Sequence, residues 1–337
     1  MEDKYLVAIN PGGISNRLKC LVSLWRIGKL TNRKLLIYWP KNSVCGAEFK
    51  NLFENKFNEI SKEELYSLKR KEYKFHDPND ISIKDLQKKY LISDTWRWVF
   101  LKEEEITKYF AKDKIENYPK YRSVTEPSQE SAGIDFAFQN TSIKAKKEIL
   151  NYLKKIKPIK KIEQRISKFE RENKIENCVG IHMRKGDYLN GKDRLGFVSD
   201  EGDFIKRMNE LIKINPKEKF FLCTDSEETQ QKFKELFGKR IVTFTKTNFD
   251  RKGIIFTQEG LIDLLILSKT KKILGTYGST YTEMAWWLGE CKPIIEIMIN
   301  KENLKTYLEN FKNMDKNIFM KIKKLISILI GRAPKFR

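Results

Sequence analysis

Histidine is almost missing from this chain: His76 and His182 are the only two among 337 residues. That leaves little material for a histidine-built metal centre or proton relay. Cysteine is scarce as well. Cys20, Cys45, Cys178, Cys223 and Cys291 are odd in number, scattered, and never form a Cys-x-x-Cys pair. A disulfide framework and a zinc finger are thereby excluded, and a reducing compartment is expected. No run approaches the roughly 18 apolar residues of a membrane-spanning helix, and Met-Glu-Asp-Lys does not open a signal peptide, so a cytoplasmic protein is expected. Acid is the minority charge, 45 residues against 67 basic ones, for a net +22. Such an excess points to an anionic partner: nucleic acid, an anionic membrane surface or a phosphorylated substrate. The chain is also rich in Lys, Ile and Asn throughout, so charge alone does not choose among them.

Three common motifs are missing too. No G-x-G-x-x-G follows a strand, no Walker-type phosphate loop is present, and there is no G-x-S-x-G elbow. What is present is enough apolar and aromatic material, 40% and 12%, to build one large or two medium cores. Tyr5 to Ile9 reads as a buried strand, Pro11, Gly12 and Gly13 as a turn, Asn16 to Leu30 as a helix and Leu35 to Trp39 as the next strand. Residues 45 to 150 are mixed and helix-leaning, with no readable order. Residues 143 to 174 form two charged amphipathic helices meeting near Pro158. Alternation then becomes plain, with strands at Cys178–Met183, Lys219–Thr224, Ile241–Phe244, Lys272–Thr276 and Pro293–Ile297. Between them lie helices at Phe204–Ile214, Glu227–Leu236, Gln258–Leu267 and Thr280–Leu288. That pattern predicts a doubly wound parallel sheet, the second in the chain, with ligand expected in a cleft between two Rossmann-like domains.

Ligands of such sheets sit beyond the carboxyl ends of strands. Arg184 and Lys185 follow the strand ending at Met183, where an arginine can grip a diphosphate with two parallel hydrogen bonds; a solvated turn is the equal alternative. Asp225 follows the next strand and reads either as a nucleoside ligand or, better, as a helix cap. Gly275-Thr276-Tyr277-Gly278-Ser279-Thr280 runs into a helix start, a ready anion site in which capping explains one hydroxyl but hardly both glycines as well. The turn from Pro11 to Arg17 is the fourth candidate.

In this order the stretches PGGISNRLKCL, YWPKNSVCGAEFKNLF, IKPIKKIEQRISKF, VGIHMRKGDY, FLCTDSEETQQKF and LIDLLILSKTKKILGTYGSTYTEMAWWLG resemble the fucosyltransferase clan of nodulation-type α1,6-, bacterial α1,2- and protein O-fucosyltransferases. The resemblance leaves residues 60 to 140 uncovered. It implies a GT-B glycosyltransferase with an acceptor-side Rossmann-like domain over residues 1–155 and a donor domain over 156–315. It implies an inverting, metal-independent transfer of L-fucose from GDP-fucose to a glycan hydroxyl. Arg184 matches the arginine on the donor diphosphate, His182 and Asp225 match residues on the nucleoside, and Gly278, Ser279 and Thr280 match the phosphate-binding helix start. Gly12, Gly13, Asn16 and Arg17 match the loop facing the donor. Many α1,6-type members carry a second arginine where this chain has Lys185, which supplies charge without the planar fork.

The chemistry implied is coherent: departing GDP leaves two charges on the diphosphate, which fixed cations and a helix N-terminus stabilise in place of a metal. Asp187, then Asp193 and Glu283, are the candidate bases for the acceptor hydroxyl. Residues 316–337 carry seven basic residues and no acid, with Ile318, Phe319, Ile322, Leu325, Ile326, Leu329 and Ile330 at helical spacing. This amphipathic tail reads equally as a peripheral anchor on an anionic inner membrane surface, which would suit a lipid-linked acceptor, and as a helix packed on the protein. The alternatives to a fucosyltransferase are a transferase of another GDP-sugar, such as a GDP-heptose, and a polyanion-binding protein. The latter lacks any nucleic-acid recognition motif, and no nucleic-acid partner is expected.

Overall fold

The computed structural model describes residues 4–10, 12–30, 32–69, 73–75, 90–93, 143–185, 195–244, 246 and 253–312. Asp187, Asp193 and the 316–337 tail lie outside these residues. The chain divides into two compact units. One comprises Met1–Gln129, Ile134–Glu163 and Asp250–Leu261; the other comprises Glu130–Gly133, Gln164–Phe249 and Ile262–Arg337.

The first unit is built on a five-stranded parallel sheet in the order β3-β2-β1-β5-β4. Its strands are β1 (Tyr5–Ile9), β2 (Lys34–Tyr38), β3 (Asn58–Glu59), β4 (Tyr73–Phe75) and β5 (Tyr90–Ser93). Leu6 to Ile9 are buried in succession, as expected of a central strand covered on both faces. Helix α1 (Ile14–Leu30) follows β1, and α2 (Lys62–Lys69) separates β3 from β4. Arg26, buried on α1, donates from Nε to Glu148 at 2.6 Å and so ties α1 to helix α3 (Ile143–Lys155). The distal segment 250–261 is stitched in by hydrogen bonds. Gly46 N–H donates to Thr257 Oγ1 at 3.0 Å, and Gln258 Nε2 donates to the Asn51 carbonyl at 2.8 Å. The short strands β3, β4 and β5 fall in the stretch that gave no readable order.

Helix α4 (Lys160–Asn173) leads to the second unit's sheet, also parallel, in the order β10-β9-β6-β7-β8. The elements from β6 onward are, in chain order, β6 (Val179–Met183), α5 (Glu201–Ile214), β7 (Phe220–Thr224), α6 (Glu227–Phe237), β8 (Ile241–Val242), α7 (Ile254–Leu267), β9 (Lys272–Thr276), α8 (Thr280–Leu288), β10 (Ile294–Met298) and α9 (Lys301–Lys312), with α7 passing from the first unit to the second after Leu261. The five strands match the sequence expectation, although β8 is cut to two residues. Strand alternation divides β6 between two faces. Val179, Ile181 and Met183 join Phe220, Leu222, Phe204, Met208 and Phe233 in one core. Each such side chain, once buried, is worth about 1.5–3 kcal/mol relative to exposure. Gly180 and His182 face α7 and α8 instead, and a Cβ on Gly180 would lie 2.5 Å from Leu267 Cδ1. Glycine is what lets α7 lie this close to β6.

The chain moves from β6 to β7 and β8 on one side, then returns to place β9 and β10 on the other. The carboxyl ends of β6 and β9 therefore flank the switch point, the place where open α/β sheets bind ligands.

Candidate functional site

Strand β6 delivers His182 and then Arg184 to that switch point. His182 is 5% exposed, its ring stacks on Tyr281 at 4.7 Å and 21°, and Nδ1 lies 2.8 Å from Thr282 Oγ1. Burial drives its pKa down to about 3; Asp225 pushes the other way, and Arg184 and Lys246 add to the fall. The imidazole is therefore neutral at physiological pH. Thr282 in turn packs on Gly275, the residue paired with His182 in the β6–β9 register. Thr276 Oγ1 donates to the His182 carbonyl at 2.9 Å and accepts the Arg184 N–H at 3.2 Å.

On the β9 side the loop is pinned before α8 begins. Tyr277 N–H donates to Ser199 Oγ at 2.7 Å, and that hydroxyl donates to the Met298 carbonyl at 2.6 Å. Gly278 has φ of 75°, a left-handed conformation that glycine adopts without a Cβ penalty. Ser279 is then the N-cap of α8, accepting from Tyr281 N–H at 3.3 Å, and Thr280 is the first helical residue. The loop thus presents a helix N-terminus and its partial positive charge beside the end of β6. Glu283, one of the candidate bases, is buried in the first turn of α8.

Asp225 is not the cap that its position after β7 suggested. Ser226 caps α6 by accepting from Thr229 N–H at 3.2 Å, while Asp225 Oδ1 accepts the Lys185 N–H at 2.8 Å. The serine is one residue nearer the helix, which puts its hydroxyl within reach of the amide of the third helical residue, Thr229. The Lys185 ammonium pairs with Glu201 Oε1 at 3.1 Å.

Two residues of the site carried no expectation. Lys246 and Asp263 form a buried pair at 2.9 Å, with side chains 6% and 2% exposed, and Lys246 also donates to the Thr224 carbonyl at the end of β7. Burial opposes the ammonium charge, but Asp263, Cys223 and Asp225 together outweigh it and raise the lysine pKa. An acid inside the apolar run Leu261-Ile262-Asp263-Leu264-Leu265 was the available signal, since a buried carboxylate needs a partner.

In the first unit, Gly12, Gly13, Asn16 and Arg17 form one local cluster. Gly12 N–H donates to Asn10 Oδ1 at 2.8 Å. A Cβ on Gly12 would sit 2.8 Å from both Asn10 Oδ1 and Asn16 Nδ2, so this close turn needs glycine. Arg17 is 2% exposed and lies 5.1 Å over the Trp39 ring. Its Nε donates to the Gly12 carbonyl and its Nη1 to the Pro40 carbonyl, both at 2.7 Å. The guanidinium thus braces its own loop.

No protein-family model matches the chain, and no curated protein matches it in sequence. Solved structures do match in three dimensions. A mutant of Arabidopsis thaliana FUT1 in complex with GDP superimposes with TM-score 0.54 and 15% identity, covering 89% of this chain and 71% of that one. Fucosyltransferase NodZ from Bradyrhizobium gives 0.51 and 18%, covering 85% and 92%. POFUT1 in complex with GDP-fucose gives 0.50 and 11%, covering 88% and 98%. The chain has the fold of these proteins. That fold accounts for the two parallel sheets and for the strand switch point of the second. Among the described residues, no three His, Cys, Asp or Glu side chains cluster as a metal site, and no helix is long and apolar enough to cross a membrane.

The neutral buried imidazole has a measurable consequence. Because its pKa in the folded protein lies below the ordinary 6.5, the unfolded chain binds the extra proton first as pH falls. Stability from His182 is complete above about pH 6.5 and is lost progressively toward about pH 3. Between pH 7 and pH 5 the expected loss is about 2 kcal/mol. Urea midpoints at pH 7, 6 and 5 would measure it, and His182→Gln should flatten that segment. An unchanged slope in the variant would contradict a buried neutral histidine.

Proposed function

We propose that this chain is a glycosyltransferase that moves a sugar, L-fucose by the likeness of its fold, from a GDP-sugar to a hydroxyl of a glycan acceptor. The observation that carries the reading is that Arg184 and the Gly278–Ser279–Thr280 helix start follow the adjacent strands β6 and β9 at the switch point, where the Arg184 N–H donates to Thr276. Arg184 and the N-terminus of α8 bind the diphosphate. His182, neutral and stacked on Tyr281, borders the nucleoside with Asp225 nearby. As the C1–O bond to the β-phosphate breaks, charge grows on the diphosphate oxygens, where fixed donors act most strongly. The acceptor oxygen attacks C1 from the opposite face, giving inversion, and passes its proton to a base, for which Asp187 is the first candidate. In this scheme cations of the protein do the work of a divalent metal. The acceptor belongs to a surface glycan or lipid-linked oligosaccharide, and the basic tail would bring the enzyme to an anionic membrane.

A panel of GDP-sugars, scored as GDP released with and without EDTA, tests this reading. GDP-fucose should be turned over, and EDTA should leave the rate within about twofold, because Arg184 and a helix terminus supply the charge. Turnover confined to another GDP-sugar would move the substrate, and abolition by EDTA would end the metal-free scheme. No turnover of any donor, with tight and steeply salt-dependent binding of RNA, would favour a polyanion binder.

A further inference from the structure

Two consecutive backbone N–H groups leave the end of β6, and each is taken by a side chain from a different flanking strand. Arg184 N–H donates to Thr276 Oγ1 at the end of β9, at 3.2 Å, and Lys185 N–H donates to Asp225 Oδ1 just past β7, at 2.8 Å. Thr276 is 2% exposed, and its one hydroxyl also donates to the His182 carbonyl at 2.9 Å, so it bridges the two peptide units on either side of Met183. The Thr224 carbonyl next to Asp225 is itself held by the buried Lys246. The Lys185 side chain is drawn to Glu201, a carboxylate that also holds Lys232 at 2.6 Å and Thr229 Oγ1 at 3.0 Å. Both dihedrals of the turn are thereby set by groups outside it, and the direction in which Arg184 departs from the sheet is set with them.

We propose that Thr276 and Asp225 are positioning residues that aim Arg184, Asp225 acting through its oxygen as a backbone acceptor rather than through its charge. The inference rests on the role of Arg184 proposed above. A misplacement of about 1 Å can cost on the order of 100-fold in rate, so loosening this turn should act mainly on kcat. With GDP-fucose as probe and released GDP as readout, Thr276→Val is expected to lower kcat at least about tenfold with a smaller change in donor KM. Thr276→Ser, which keeps the hydroxyl, should restore the rate to within about twofold of wild type. Asp225→Ala should behave like Thr276→Val, whereas Asp225→Asn retains an acceptor oxygen and should stay within about threefold of wild type.

The decisive arm is a double-mutant cycle with Arg184→Ala, since residues acting through one group are non-additive. In the Arg184→Ala background, Thr276→Val should cost less than about twofold more. The same fold loss in both backgrounds overturns the positioning role while leaving the proposed reaction intact. Full turnover by Arg184→Ala alone overturns the role of Arg184 and this inference with it. Should Thr276→Val fail to fold, the Asp225 pair decides: equal losses in the Ala and Asn variants overturn the proposal.

Discussion

Arg184→Ala is expected to lower turnover of the donor sugar nucleotide at least about 100-fold, the size typical of removing one donor that stabilises transition-state charge. The residue follows the last position of β6, and its backbone N–H is tied into the sheet edge through Thr276. It is not part of the apolar core formed by Val179, Ile181 and Met183, so the Arg184→Ala protein should still fold and melt cooperatively. Arg184→Lys retains the charge without the two-pronged geometry, so it should recover part of the rate and little of the ground-state grip on the diphosphate. Steady-state turnover and a melt on the same preparation provide the check. A folded Arg184→Ala protein with near wild-type turnover would remove this side chain from the mechanism.

Gly275→Ala is expected to be among the most damaging single methyl additions in the second unit. The new Cβ would lie 2.3 Å from Thr282 Cγ2 and 2.8 Å from Thr282 Oγ1. Thr282 is fully buried on α8, and a β-branched side chain in a helix has little rotamer freedom with which to yield. The helix must move off β9, at a cost of about 1–3 kcal/mol for an overpacked core. The same displacement pulls Thr282 Oγ1 away from His182 Nδ1, now at 2.8 Å, so donor binding should weaken alongside stability. Adding Thr282→Ala removes the clashing γ atoms, and the double variant should be more stable than Gly275→Ala alone. Urea unfolding of the three proteins measures this. A Gly275→Ala protein as stable as wild type would show that α8 is not held at this spacing.

The second unit was legible because its strands are apolar runs bounded by polar turns, and because its helices begin at residues that cap them. Phe220–Thr224 followed by Ser226 is the clearest case. In the first unit β3, β4 and β5 run to two, three and four residues, too short for a period of two to stand out from their charged surroundings. Tyr90-Leu91-Ile92 pairs directly with β1, yet locally it is three apolar residues between charges. At the site, Arg184, Asp225 and the Ser279 helix start could be singled out one by one, whereas the buried Lys246–Asp263 pair could not. The hydrogen bonds that organise them were not, since Thr276 and Arg184 are 92 positions apart and meet only through strand pairing. Arg17 illustrates the converse. A basic residue beside a glycine turn reads as a ligand group, and nothing local in the sequence shows that the Gly12 and Pro40 carbonyls take its Nε and Nη1.

The hydrogen bonds from Gly46 to Thr257 and from Gln258 to Asn51 join positions 211 and 207 residues apart within one unit. On the ribosome, the first-made half of the protein must therefore wait for a segment made near the end. At about 5–20 residues per second, the interval between emergence of residue 163 and of residue 261 is roughly 5–20 s. Throughout it, the Gly46 amide and the Asn51 carbonyl lack their native partners, and β6, β7 and β8 emerge in turn before it ends. The remaining strands of the second unit, β9 and β10, end at Met298, fewer than forty residues beyond Leu261. The two units consequently reach completion almost together, and the nascent chain carries two open parallel sheets at once rather than one finished body and one growing one.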